Sequence, residues 1–138
     1  NRVDDPSEER IDATMLMRVR QLADSAGAVV VISSDWRTQP EAKAHIERRL
    51  AMLNVTVIGA TPLARTRALA RPAEIFQWLS THPDEHNGRY VVLDDRDLTR
   101  ETRGAELAAA RRFVRTDPHV GFTDANLAEA IGVLRRVD

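Results

Sequence analysis

Apolar residues fall along the chain in alternating helical and strand-like blocks. Ile11, Met15, Val19, Leu22 and Ala26 recur at three- to four-residue spacing, which puts them on one face of a helix. Asp5-Pro6-Ser7-Glu8 supplies the chemistry of its start: a capping carboxylate, a proline suited to the first turn, and Glu8 at capping-box distance from Asp5. Gly27 is its expected stop. Met15 and Met17 read as core filler on this helix. Ala28-Val29-Val30-Val31-Ile32 follows as an apolar run without alternation, the pattern of a strand covered on both faces in a parallel sheet.

The same alternation continues. Thr38 and Glu41 repeat the capping-box spacing around Pro40, and Ala42, Ile46, Leu50 and Leu53 mark a second helix. Val55-Thr56-Val57-Ile58 predicts a short strand stopped by Gly59. A loop from Thr61 to Arg71 leads to a helix carrying Ile75, Trp78 and Leu79. His82-Pro83-Asp84 and Asn87-Gly88 read as the turn that ends it. Tyr90-Val91-Val92-Leu93 predicts a third strand, Arg112-Phe113-Val114-Arg115 a weaker fourth, and the polar, alanine-rich Thr99–Arg111 stretch a short extra helix. Thr123 caps a last helix with Leu127, Ala130, Ile131 and Leu134 on one face. Helices alternating with strands predict an α/β fold, a three-layer Rossmann-like sandwich with a mainly parallel sheet. No repeat, low-complexity tract or second-domain boundary is visible, so residues 1–138 are expected to form a single domain.

Composition narrows the function classes. The formal net charge of −1 implies no broad attraction to nucleic acid or to an anionic membrane, although a local basic strip is compatible with it. Without cysteine there is neither a disulfide framework nor a thiolate metal site, which fits a reducing, intracellular and cytoplasmic setting. No apolar run approaches the roughly 20 residues that span a bilayer, so no membrane partner is expected. Glycine-rich phosphate loops are absent: neither G-x-x-x-x-G-K nor G-x-G-x-x-G occurs.

In parallel sheets, ligands gather beyond the carboxyl ends of the strands. Two strand ends here carry polar groups, Ser33-Ser34 after the first and Asp94-Asp95 after the third. Paired carboxylates at such an end suit Mg²⁺, a serine hydroxyl there can donate to a phosphate oxygen, and Arg71 at a helix start can offset phosphoryl charge. Each has a plainer explanation as well. An Asp-Asp pair commonly forms a turn or a helix cap, serines cap following helices, and Arg71 before Pro72 could be a solvated loop residue. His82 and His86, four apart, could hold a metal on a helix, but Pro83 and Asn87-Gly88 favour a turn. Arg65, Arg67 and Arg71 form a basic strip that could guide a phosphorylated polymer or simply be solvated; Trp36 could stack on a base, with packing the commoner role. His45 and His119 have no evident partner and read as surface or structural residues.

Val29-Val30-Val31-Ile32-Ser33-Ser34-Asp35-Trp36-Arg37 resembles the second motif of haloacid-dehalogenase-type (HAD-type) phosphatases, in the extended Ser-Ser-x-Trp-Arg form of a subgroup found in multi-domain RNA-repair proteins. Arg71 with Glu74, Ile75, Trp78 and Leu79 is similar to that subgroup's third-motif region. Val91-Val92-Leu93-Asp94-Asp95 resembles the acidic fourth motif, and Phe113 to Thr123 the closing segment. The resemblance is drawn over nearly the whole chain from about Ala28. It implies that Ser33 binds the transferring phosphate, Arg71 stabilises the phospho-enzyme, Asp94 and Asp95 hold Mg²⁺, and Ser34 and Arg37 contact the substrate. The implied activity is Mg²⁺-dependent phosphomonoester hydrolysis through an aspartyl-phosphate, with nucleic-acid ends as one class of phosphorylated substrate, within a larger protein or assembly. Ser33, Arg71 and the acidic pair are expected on one rim of one sheet.

The chain departs from the family in one respect. The first motif, Asp-x-Asp-Gly, whose aspartates act as nucleophile and as general acid and base, does not occur. Asp4-Asp5 does not replace it, because no apolar strand precedes it and Pro6 opens a helix. In HAD folds the first strand is central. Its loss would leave neighbouring strands with unpaired backbone groups costing on the order of 1–3 kcal/mol each. About ten native residues upstream of Asn1, or another segment in that slot, are therefore expected. The alternative function is an inactive HAD-like domain serving as a binding or structural subunit. A response-regulator-like receiver is disfavoured, since it needs a late lysine and Lys43 is the only one.

Overall fold

The computed structural model describes residues 13–33, 40–61, 71–117 and 120–136. These residues gather into two compact units, within Asn1–Ala60 and Thr61–Asp138. In the first unit, α1 (Ala13–Ala26), β1 (Val30–Ile32), α2 (Pro40–Met52) and β2 (Val57–Ala60) follow in order. Leu16, Ala23, Ile32, Ile46, Leu50 and Val55 close its core, with Met15, Val19, Val30, Leu53, Val57 and Ala60 packed against them. Gly27 ends α1 in the left-handed conformation, at φ 63°. Met17 faces solvent, so of the two methionines only Met15 fills the core. The Asp5–Glu8 start and the Thr38 cap lie outside the described residues.

β1 and β2 pair in parallel, as the unalternating Ala28–Ile32 run predicts, but the strand takes in only Val30–Ile32 and Val29 ahead of it is exposed. The second strand, however, lies two residues later than its hydrophobic pattern implies. Gly59 is paired with Val31 inside it, and the register shifts between Val30 and Val31. A glycine within a strand commonly accompanies such an irregularity instead of ending the strand. Val55 is buried ahead of the strand, which explains its apolar character without ladder pairing.

The second unit contains α3 (Arg71–Thr81), α4 (Pro83–His86), β3 (Val92–Asp94), a 3₁₀ helix (Leu98–Arg100), α5 (Gly104–Ala110), β4 (Phe113–Arg115) and α6 (Asp124–Arg135). β3 and β4 pair in parallel, Val92 with Phe113, Leu93 with Val114 and Asp94 with Arg115. Ile75, Val92, Leu98 and Leu107 form the core, flanked by Phe76, Leu79, Tyr90 and Phe113. Thr123 caps α6 as expected. Its hydroxyl accepts from the Asn126 amide at 3.1 Å and the Asn126 side chain accepts from the Thr123 amide at 3.0 Å. Helical order at Gly104–Ala110 lies within the Thr99–Arg111 stretch anticipated for it.

Two local expectations change. β3 begins at Val92 and takes in Asp94, so the first acidic residue belongs to the strand itself. The His82–Asp84 segment opens a one-turn helix before Asn87 and Gly88 reverse the chain at φ 51° and 80°. His82 Nδ1 lies 2.9 Å from the Trp78 carbonyl oxygen, with its ring stacked on Trp78 at 4.1 Å. His86 Nδ1 accepts from the Gly88 amide at 2.8 Å, which assigns its proton to Nε2 for donation to the Leu79 carbonyl at 2.9 Å. Both histidines therefore cap the carboxyl end of α3 through His82 Nδ1 and His86 Nε2, and among the described residues neither belongs to a group of three side chains that could hold a metal ion. Among the described residues no helix is long and apolar enough to cross a membrane.

Gly104 sits where α5 meets the 3₁₀ helix, and a methyl group there would run into the carbonyl oxygens of Leu98 and Thr99. Gly104→Ala is expected to lower stability in urea unfolding by about 1–3 kcal/mol. Gly132→Ala, inside α6 with nothing near its would-be methyl, should instead raise it by about 0.5–1 kcal/mol.

Candidate active site

The second unit brings together the basic residue at the start of α3 and the acid that ends β3. Arg71 Nη1 donates to Asp94 Oδ2 at 2.5 Å, and the two side chains are only 9% and 8% exposed. Arg71 is thus no solvated loop residue. Pro72 behind it is fully buried and fits the first helical turn, where its missing amide donor costs nothing. A guanidinium this far from water needs an anion, and Asp94 provides one.

Asp94 also serves the turn that follows. Its Oδ1 accepts from the Arg96 amide at 3.0 Å, so the turn role and the ion pair coexist on its two oxygens. Asp95 projects into solvent, and its carbonyl accepts from Arg115 Nε at 3.2 Å, which ties the loop to the end of β4. The helix cap is supplied by Asp97, whose Oδ1 accepts from the Thr99 hydroxyl at 2.6 Å and from the Thr99 amide at 3.2 Å. The Thr99 hydroxyl bond holds the Asp97 carboxyl below its ordinary range, with the Thr99 amide, Arg115 and Arg100 acting in the same direction.

Two residues that sequence patterning leaves unmarked complete the network. Glu101 accepts from Arg96 Nε at 2.5 Å and Arg96 Nη2 at 2.8 Å, and more weakly from the Arg71 amide at 3.4 Å. Arg71, Asp94, Arg96 and Glu101 thereby alternate in charge along one chain of contacts. Glu101 lies 30 positions from Arg71, so no helical or strand period could have revealed their meeting. The nearest sequence signal is Leu98, buried beside the polar residues that flank it.

Ser33 stands just past the end of β1 in the first unit, half-buried. Ser34, Arg37, Trp36, Arg65, Arg67 and His119 lie outside the described residues. As metal donors, Asp94 and Asp95 offer hard carboxylate oxygens, and each Asp94 oxygen keeps a lone pair beyond the contact it makes. Among the described residues no group of three acidic, histidine or cysteine side chains is arranged to hold a metal ion. Two carboxylates nevertheless fit Mg²⁺, which commonly takes one or two from a protein and fills the rest with water and phosphate oxygens.

The structure thus places Arg71 and Asp94 side by side at the carboxyl end of β3. Residues 1–127 match the family described as the HAD domain in Swiss Army Knife RNA repair proteins, and the chain belongs to that family. The match begins at Asn1, well ahead of the Ala28 boundary drawn from sequence motifs. Comparison with curated proteins and with solved structures gave no significant match.

Arg71→Met would leave Asp94 buried without its cation and is expected to cost about 3–5 kcal/mol in urea unfolding. Asp95→Asn, at an exposed carboxylate, should change stability by less than about 0.5 kcal/mol. Because folding depresses the Asp97 carboxyl, its contribution is present above the unfolded value and disappears as pH falls through the folded one. Thr99→Val should move the Asp97 midpoint upward in a carboxyl-carbon NMR titration; an unchanged midpoint would rule out the hydroxyl as its main cause.

Proposed function

We propose that this chain is the phosphoryl-transfer domain of a Mg²⁺-dependent HAD-type phosphatase, hydrolysing phosphomonoesters, with phosphorylated nucleic-acid ends as its substrate class. The carrying observation is the Arg71–Asp94 pair at the end of β3, in a chain whose family is described from RNA repair proteins. The proposed fold is a three-layer Rossmann-like sandwich forming a single domain, a reading that rests on the family match and on strands that pair in parallel within each unit. The protein is proposed to work within a larger polypeptide or assembly.

In this reading Ser33 donates a hydrogen bond to a phosphoryl oxygen, while Ser34 and Arg37 contact the substrate. Arg71 offsets the negative charge that builds on the phosphoryl group, as a fixed cation in a water-poor site can. The nucleophile is an aspartate outside residues 1–138; its carboxylate attacks phosphorus, the alcohol leaves, and water then hydrolyses the aspartyl-phosphate. Asp94 and Asp95 would hold Mg²⁺, which supplies positive charge to the phosphate oxygens. Asp94 carries a second duty, since the carboxylate that would face the cation also orients Arg71.

The second reading is an inactive HAD-like domain that binds or scaffolds within an assembly, favoured by the absence of Asp-x-Asp-Gly from residues 1–138. The encoded sequence before Asn1 separates the two, since the enzyme needs that motif and the scaffold does not. In the intact protein, Asp94→Asn should reduce Mg²⁺-dependent phosphate release from an aryl phosphate by roughly 10²-fold or more, with circular dichroism confirming the fold. Full activity in that variant would sink the metal assignment.

A further inference from the structure

Glu101 is the most enclosed carboxylate of the charged network, with its side chain only 2% exposed, yet it ligates nothing in the reading above. Its two oxygens take the Nε and Nη2 edge of Arg96, in the fork-on-fork geometry that fixes a guanidinium most firmly. The same carboxylate reaches the Arg71 amide at the start of α3. Arg96, for its part, already touches Asp94 through its backbone amide. Two guanidinium groups therefore attach to one short turn, and Asp94 is bonded by only one of them, Arg71.

We propose that Glu101 is a positioning residue that reserves Asp94 for Arg71 and for a divalent cation by holding the Arg96 guanidinium away from it. Two physical effects act together. The bidentate bond occupies the donor edge with which Arg96 would otherwise compete for Asp94. The Glu101 charge also cancels that of Arg96, which would otherwise repel a divalent cation from the same turn. Arg96 is 40% exposed on its side chain and carries a long flexible stem, and the two-point Glu101 bond fixes the direction of its Nε–Nη2 edge. Burial of Glu101 keeps water from competing for that anchor.

The effect on metal binding rests on the phosphatase reading, whereas the placement of Arg96 does not. The test uses the full-length protein and its Glu101→Gln variant, which preserves shape and one acceptor while removing the charge. The Arg96 Nε–H resonance, assigned by Arg96→Lys, should lose its carboxylate-bonded downfield shift in the variant. Mg²⁺ titration followed on the Asp95 and Arg96 amide resonances should weaken about 10- to 100-fold. Adding Arg96→Gln to Glu101→Gln should recover most of that loss, because the competing cation is gone.

A purely structural Glu101 predicts the reverse, a double variant at least as impaired as the single one, and that result would overturn the proposal. So would Mg²⁺ affinity within twofold of the parent in Glu101→Gln. If the parent protein binds no Mg²⁺, the phosphatase reading fails by itself. The placement is then decided by the Arg96 Nε–H signal, whose persistence in Glu101→Gln would overturn it. Should Glu101→Gln not fold, Glu101→Asp, which retains the charge on a shorter stem, must still show a displaced Arg96 signal with intermediate Mg²⁺ weakening.

Discussion

Arginine side chains taken out of water must be met by anions or by several carbonyl oxygens, and the second unit is organised by that requirement. Arg71 is met by Asp94, which fastens the start of α3 to the end of β3. Removing either partner strands a charge in a poorly solvated place, whereas replacing both by apolar groups can be nearly neutral. The pair therefore says more about which arrangement the chain adopts than about how stable the chain is. It also sets the orientation of Asp94, one of the two carboxylates proposed to hold the cation.

The other enclosed guanidinium follows the same rule with different partners. Arg112 donates to the carbonyls of Tyr90 and Val133 at 3.0 Å and of Arg136 at 2.9 Å, and its charge lies over the Tyr90 ring at 5.5 Å. One side chain thus joins the approach to β3, the residue preceding β4 and the carboxyl end of α6. Carbonyls at a helix end carry partial negative charge and lack intrahelical donors, so a cation there satisfies both needs. Arg136 returns the favour by donating to the Ala110 carbonyl at the end of α5 at 3.0 Å. The frame around β3 and β4 is in this way held by arginines as well as by apolar packing.

That frame explains why adjacent acids behave so differently. Asp94 lies inside the strand, facing Arg71, while Asp95 follows in the bend beyond the strand and is exposed. Asp97, one turn on, is spent on the 3₁₀ helix and Glu101 on Arg96. Four acidic residues within a short stretch thus have four separate duties, and their chemistry is set by neighbours contributed from α3, β4 and the 3₁₀ helix.

Periodicity and cap chemistry, being local, were readable along the chain. The spacing of Ile46 and Leu50, the Thr123 cap and the unalternating Ala28–Ile32 run each depend on residues a few positions apart. Strand limits were not, because pairing partners decide them: Gly59 stays in β2 opposite Val31, and Asp94 enters β3 opposite Arg115. The sequence alone could nominate Arg71 and Asp94 by type and by family resemblance. Only the fold could join them across 23 positions, and only the fold could bring Glu101 to the Arg71 amide 30 positions away. The physical reason is distance along the chain, since charge pairing across long separations leaves no period to read, and exists only once packing has excluded water.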